Sequence, residues 1–287
     1  MRAMKNGFTV LLTAALSLAG CSTNPITGRS QLVGLVSEQE ALSGSAQAYR
    51  QMMADLDKKQ QLERPSGDSD SPRVKKVQEI TDRLIAQAIK FRPDAAGWRW
   101  EVQVINDPKT VNAFCMAGGK MAIYSGMWEQ LKITDDELAQ VMGHEISHAL
   151  LDHTRERMSL ARSTGVGVQI LALATGVGSL GGQAMDAAAQ LALTLPNSRE
   201  GEAEADAVGT ELAAHAGYDP KAAAALWEKM AKLGGGRYEF LSTHPSPENR
   251  AAKLKELAAK LEPAYVTAKA QPPAAVRYVN LKPAATK

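Results

Sequence analysis

The apolar positions change period twice along the chain. From Ser37 to Gln61, Ala, Leu, Tyr and Met recur at helical spacing, and Ser37 with Glu40 three residues on forms a capped helix start. Arg64 to Pro72 is a polar loop with two prolines. Val74, Val77, Ile80, Leu84, Ile85 and Ile89 then share one stripe, which predicts a second amphipathic helix over Val74 to Ile89. Next the period shortens to two. Trp98, Trp100, Val102 and Val104 alternate with Arg99, Glu101 and Gln103, the pattern of a half-buried strand. Val111 to Cys115 and Met121 to Ser125 predict two more short strands, and Gly118-Gly119 between them marks a hairpin. Helical periodicity returns at Thr134 and runs nearly to Leu261, interrupted by the stretch Gly165 to Gly182 and by a loop at Gly234 to Pro247. Gly165 to Leu180 is apolar but only 16 residues long, and it carries Gln169 and four glycines. That is short for a bilayer span and predicts a buried or lid-like helical hairpin. There is no internal repeat. These elements predict a mainly α (α+β) domain with a small antiparallel sheet beside the helix that begins at Thr134.

The N-terminus points to export. Arg2 and Lys5 precede an apolar run from Phe8 to Ala19, the length of a signal-peptide core. The run ends in Leu18-Ala19-Gly20-Cys21, which resembles a bacterial lipobox, with the Cys21 thiol as the lipidated atom. An ordinary cleaved signal with a cysteine there by accident is the alternative. The expected organisation is a signal peptide over 1–20, a lipidated tether over 21–36, a catalytic domain over 37–262 and a loosely docked or disordered Ala, Pro and Lys-rich tail over 263–287. Ser22, not Asp, follows the cysteine. That resembles an outer-membrane sorting signal and predicts a periplasm-facing lipoprotein of the cell envelope.

Charge removes one class of function. The chain has 33 Lys and Arg against 31 Asp and Glu, and loss of residues 1–20 takes Arg2 and Lys5 with it. A balanced mature chain has no basic bias toward nucleic acid. With Cys21 committed to lipid, Cys115 has no partner for an internal disulfide.

The candidate chemistry centres on His144-Glu145-Ile146-Ser147-His148. Thr134, Asp135, Asp136 and Glu137 form a capped, acidic helix start, and Leu138, Val141 and Met142 an apolar face. On that helix His144 and His148 lie one turn apart and can share one zinc ion. Glu145 is rotated by about 100° from His144, beside the metal rather than on it. There it is placed to act as general base and then general acid toward a metal-activated water. The same pentapeptide also occurs as two histidines on a solvated face. A third ligand is sought in Ser198-Arg199-Glu200-Gly201-Glu202-Ala203-Glu204-Ala205-Asp206. Glu202 and Asp206 share a helix face, so Glu202 can ligate the metal while Asp206 accepts a hydrogen bond from an imidazole N–H. Spacing alone does not choose among Glu200, Glu202 and Glu204. The metzincin pattern fails, because Leu151 and Thr154 stand where it needs Gly and His. His153 is off that spacing and is read as a cation in the last turn of the helix.

Taken in order, these segments resemble the gluzincin metallopeptidases of the CAAX prenyl protease and HtpX type. Asn112-Ala113-Phe114 with Gly118-Gly119 is similar to the family's substrate-side strand, and His144 to His148 to its zinc helix. Ser198-Arg199 with Glu202 to Asp206 matches its S-R-x-x-E-x-E-A-D segment, and Thr243-His244-Pro245 with Arg250 its T-H-P-x-x-x-x-R segment. The resemblance implies Glu202 as third ligand, Asp206 behind it, and one zinc ion per chain. It implies that His244 stabilises an oxyanion or occupies the open metal position at rest, and that Arg250 holds its loop or the substrate. Asn112, Ala113 and Phe114 would pair with an extended, unfolded polypeptide by strand addition. The family departs at Cys115-Met116-Ala117, where relatives often carry A-L-P. The length is similar to the compact periplasmic lipoprotein type such as LoiP, without the helical-repeat extension of BepA. The implied function is zinc-dependent cleavage of unfolded or misassembled envelope proteins. The alternative is a chaperone-like assembly factor with latent proteolysis.

Overall fold

The computed structural model describes residues 20–63, 65–66, 69–164, 195–232, 239–246, 249–271 and 277–279. Residues 1–19 of the expected signal peptide and the Gly165 to Gly182 stretch lie outside the described residues. Among the described residues no helix is long and apolar enough to cross a membrane.

The predicted helices form where their caps are. Helix α1 (Glu38–Lys58) starts from Ser37, whose hydroxyl accepts the Glu40 N–H while Glu40 reaches back to the Ser37 N–H. Helix α2 (Pro72–Phe91) buries Val74, Val77, Ile80, Leu84 and Ile85 on its predicted stripe. Between the helices and against them lies a four-stranded sheet. Its order is β3 (Leu62–Glu63), β4 (Glu101–Ile105), β6 (Lys120–Tyr124), β5 (Ala113–Met116). The outer pairings are antiparallel, and the central one, β4 with β6, is parallel. The Gly118-Gly119 hairpin is present, with φ of 77° and 73°. A Cβ on Gly119 would lie 2.3 Å from the Trp100 ring, so glycine is needed there for space as well as backbone.

The strand expected to be half-buried is buried throughout. Val102 and Val104 face the large core with α2, while Ile105 faces Ala48, Tyr49 and Met53 of α1 on the other side. The sheet is therefore covered on both faces. Its buried Glu101 is matched by Lys120 Nζ at 2.8 Å, and the Tyr49 hydroxyl donates to Met121 O at 2.7 Å.

The metal-motif helix α3 (Asp135–Leu150) carries the predicted Thr134–Glu137 capping box. It stops earlier than the continuous helical pattern implies. Asp152 turns left-handed at φ 58°, and α4 (His153–Thr164) begins anew. Arg92 caps the break, donating to Leu150 O and to Asp152. Helix α5 (Arg199–His215) crosses α3 at backbone distance: a Cβ on Gly143 would sit 2.7 Å from Gly209 O, and one on Gly209 2.6 Å from His144 N. Helices α6 (Lys221–Lys232), α7 (Glu239–Thr243) and α8 (Arg250–Lys269) close the far side.

Two boundaries differ from expectation. Residues 21–36, expected as a tether, are instead a docked β-hairpin of β1 (Cys21–Thr23) and β2 (Ser30–Leu32). Its buried Asn24 and Gln31 amides both donate to Leu151 O, so the hairpin satisfies a carbonyl that the end of α3 leaves open. The tail expected from Pro263 is helical to Lys269, with Pro263 inside α8. Further on, the Tyr278 and Val279 N–H groups donate to Asp82, and Val279 packs into the core.

The glycine crossing makes a prediction. Gly209→Ala should cost about 1–3 kcal/mol, since backbone atoms rather than flexible side chains meet the new methyl. At Gly97 a Cβ meets nothing within 4 Å, so Gly97→Ala should leave the urea midpoint unchanged or slightly raised. Equal midpoints for the two variants would disprove the close crossing.

Candidate functional site

The crossing of α3 and α5 brings three donors to one point. His144 Nε2 and His148 Nε2 are 3.0 Å apart. Glu202 places Oε2 3.4 Å from the first and Oε1 3.3 Å from the second. Ligands at about 2.0–2.1 Å around one tetrahedral zinc would be separated by about 3.3 Å, so this donor set fits that ion. His244, following α7, brings a fourth nitrogen, and the ligand atoms of all four residues lie within 4.8 Å of one another. Glu200 is exposed, and Glu204 turns toward Arg29. Of the three glutamates, Glu202 is the one the fold brings to the two histidines.

Each ligand is held from behind. His144 Nδ1 lies 3.1 Å from Asp206 Oδ1, which also accepts from Arg250 Nη2 at 2.6 Å. Arg250 reaches Glu202 Oε2 at 3.3 Å and lies over the Trp227 ring, on the carboxylates rather than on the substrate side. Asn197 Nδ2 donates to Glu202 Oε1 at 2.8 Å. Burial works against ionisation of Glu202, but the charge of His144, with hydrogen bonds from His144 and His148, outweighs it and holds its carboxyl far below the usual range. His144 is the counterpart: despite burial, Glu202 and Asp206 raise its pKa to about 10. Protons and metal thus compete for the same nitrogen.

Glu145 stands beside this cluster. Burial pushes its carboxyl up to about 8, with nearby Glu202 adding to the shift and His144 opposing it. The backbone N–H of Cys115 donates to it from β5. Its Oε1 is buried, has no hydrogen-bond partner among the described residues, and lies 3.4 Å from His244 Nε2. His244 Nδ1 donates to Phe240 O at 2.9 Å. Burial, with help from His144, pushes this ring down to about 4, so it is neutral. A neutral ring with its proton on Nδ1 presents a lone pair, not an N–H, to the site.

These groups open onto a cleft of about 420 Å³. Asn112, Ala113 and Phe114 line one wall, and Met52 and Leu56 of α1 the other. The strand is at the end of the sheet order, as the predicted substrate strand requires. Its entry is occupied, because Val111 O accepts the Phe240 N–H at 3.2 Å. Cys21 is exposed at the start of the hairpin, outside the residues that line this cleft.

The sequence around this donor set matches a known protein family over residues 71–258: peptidase family M48. The chain belongs to this family. Relatives include the mitochondrial metalloendopeptidase OMA1 of Arabidopsis thaliana, 39% identical over 161 residues, covering 56% of this chain and 32% of that protein. The metalloprotease LoiP of Escherichia coli is 34% identical over 151 residues, 52% of this chain and 59% of LoiP. The metalloprotease YcaL of the same organism is 27% identical over 262 residues, 88% of this chain and 98% of YcaL. The chain spans a third to a half of the plant and yeast OMA1 proteins it matches.

Within this M48 site, sequence reasoning missed several residues. His153 is not a cation in the last turn of α3. It opens α4, is buried, and its Nδ1 lies 2.7 Å from His148 Nδ1. Burial, against Glu204, lowers its pKa. Its signal, a histidine past the helix end, looked the same as a charge placed on the helix dipole. Asn197, just before the Ser198 cap, carried no signal of its own. Phe240, stacked on His244 at 4.3 Å, and Trp227, stacked on Phe240 at 5.6 Å, read only as apolar helix residues. Gly143 and Gly209 were legible as glycines inside helices, a costly choice that calls for a packing reason.

Asp206→Asn should weaken zinc binding by about 10–100-fold in chelator competition. Asn197→Ala should weaken it less, because the Glu202 carboxylate keeps Arg250. Unchanged affinity in both variants would show that these contacts do not order the ligands.

Proposed function

We propose that this M48 chain is a zinc-dependent endopeptidase that cleaves unfolded or misassembled polypeptides of a bacterial envelope. The observation that carries this reading is the buried Glu145 carboxylate. It is held by the edge strand on one side, has an unmet oxygen on the other, and adjoins a three-donor site. Zinc held by His144, His148 and Glu202 would supply Lewis acidity to a carbonyl and lower the pKa of water. Glu145, with its pKa near neutrality, takes a proton from the attacking water and returns it to the leaving amine. An extended peptide pairing with Ala113 to Met116 runs past Glu145, because the Cys115 N–H that meets this carboxylate belongs to the same strand. A folded substrate could not offer a free strand to that edge. This supports unfolded or damaged substrates.

Lipidation of Cys21 and an outer-membrane, periplasm-facing location rest on the lipobox-like N-terminus. The exposure of Cys21 supports them. A lipid there leaves the hairpin's contacts with α3 and α5 in place.

A second reading is supported by His244. With its Nε2 lone pair aimed at the site, it acts as a fourth ligand that closes the metal position. Turnover then requires the loop to move, and the protein is latent until substrate or a partner opens it.

The test uses a soluble form starting at Ser22 and casein as unfolded substrate. Wild type and Glu145→Gln should each bind one zinc per chain. The variant should cut about 10²–10⁴-fold more slowly, and a chelator should abolish wild-type cleavage until zinc is restored. Full activity in Glu145→Gln would sink the mechanism. Zinc in both with cleavage in neither, and activity appearing in His244→Ala, would favour the latent form.

A further inference from the structure

His144 and His148 are supported by parallel devices of unequal length. A histidine that ligates through Nε2 must donate its Nδ1–H, and the acceptor sets its tautomer and ring plane. For His144 the acceptor is a carboxylate backed by a guanidinium: Asp206 at 3.1 Å, then Arg250 at 2.6 Å. For His148 the first neighbour is another imidazole, His153 Nδ1, at 2.7 Å. That nitrogen accepts only if His153 carries its proton on Nε2, and Nε2 lies 3.1 Å from Glu204 Oε2. The same Glu204 oxygen accepts from Arg29 Nε at 2.7 Å. Arg29 grips Glu156 with its other two nitrogens, at 2.8 and 2.7 Å. Both lines run from ring to carboxylate to guanidinium, and the second has one imidazole inserted.

The insertion has an electrostatic reason. Glu145, Glu202 and Asp206 already crowd the site, and a further carboxylate against His148 would add like charge in a buried place. The inserted imidazole passes on the orientation while keeping the Glu204 charge one ring further away.

The guanidinium that ends this line comes from the N-terminal hairpin. Arg29 lies in the β1–β2 turn, next to Ser30, and Asn24 and Gln31 pin the hairpin to the end of the metal helix. The M48 match begins at residue 71, so Arg29 lies outside it.

We propose that His153 is a positioning residue for the metal ligand His148, and that Glu204 and Arg29 align it, making the N-terminal hairpin part of the metal site. The inference rests on the metalloprotease reading above. It predicts that events at the hairpin, eight residues or so from Cys21, reach His148 through side chains alone.

The test uses the processed protein purified with its hairpin intact. Zinc affinity is read by chelator competition, and casein-peptide kinetics are read at saturating zinc. His153→Leu should lower zinc affinity about 10–100-fold. His153→Gln, whose amide oxygen can still accept the His148 N–H, should recover most of it. Arg29→Met should weaken binding by a smaller factor, and Arg29→Lys should restore part of it. The decisive measurement is the double variant. If Arg29 acts through His153, adding Arg29→Met to His153→Leu should lower affinity no further. At saturating zinc the variants should lose kcat with KM unchanged. If His153→Leu fails to fold, His153→Gln with and without Arg29→Met carries the test, and the arginine effect should persist there. Wild-type zinc affinity in His153→Leu, or strictly additive losses in the double variant, would overturn the proposal. Absence of zinc binding by the wild type would instead bring down the metalloprotease reading on which it rests.

Discussion

The close crossing of α3 and α5 is the constraint from which the site follows. Gly143 and Gly209 face each other with no room for a methyl group, and the turn of α3 at that contact is the one that carries His144. Two helices at this separation let a short glutamate side chain reach both histidine rings. A wider crossing would leave Glu202 short of the shared point. It would also put Asp206, one turn further along, out of reach of His144 Nδ1. Glycine is a poor helix former, and its cost of about 1 kcal/mol per position is accepted here for proximity.

Proximity creates an electrostatic problem that the surrounding residues solve. Glu202, Asp206 and Glu145 are buried together, and isolated buried carboxylates are strongly disfavoured. Arg250 bridges Glu202 and Asp206, Asn197 donates to the other oxygen of Glu202, and burial moves the pKa of Glu145 up toward neutrality. The same crowding that would destabilise an apolar core here sorts the carboxylates by role. Glu202, with cationic partners, stays ionised at the candidate metal point, and Glu145, whose pKa burial raises, becomes a group able to exchange a proton near neutral pH.

The sheet completes the arrangement by placing a backbone edge beside Glu145. Helices α1 and α2 cover both faces of the sheet, and β5 presents Cys115 N–H to Glu145. On the opposite side the α7 segment brings in His244, stacked on Phe240 and aimed at the same point. The site is therefore enclosed by the sheet edge on one side and by the short helix α7 on the other.

Local signals determined much of this protein. Caps at Ser37 and Thr134, the stripe on α2, the glycine hairpin and the turn-spaced His144 and His148 are all properties of neighbours in sequence, set by backbone geometry and side-chain period. Glu202, Asp206, His244 and Arg250 were legible only through the resemblance of ordered motifs, since spacing within a helix cannot say which face meets another helix. What tertiary structure alone decided is the set of contacts between segments far apart in the chain. His153 joined His148 instead of serving the helix dipole, Glu204 turned to Arg29, and the supposed tether docked on Leu151. Pro263 did not end its helix, and a strand with an alternating pattern was buried on both sides. In each case the local pattern was compatible with solvent. A distant partner, supplying a hydrogen bond or an apolar surface, changed the outcome.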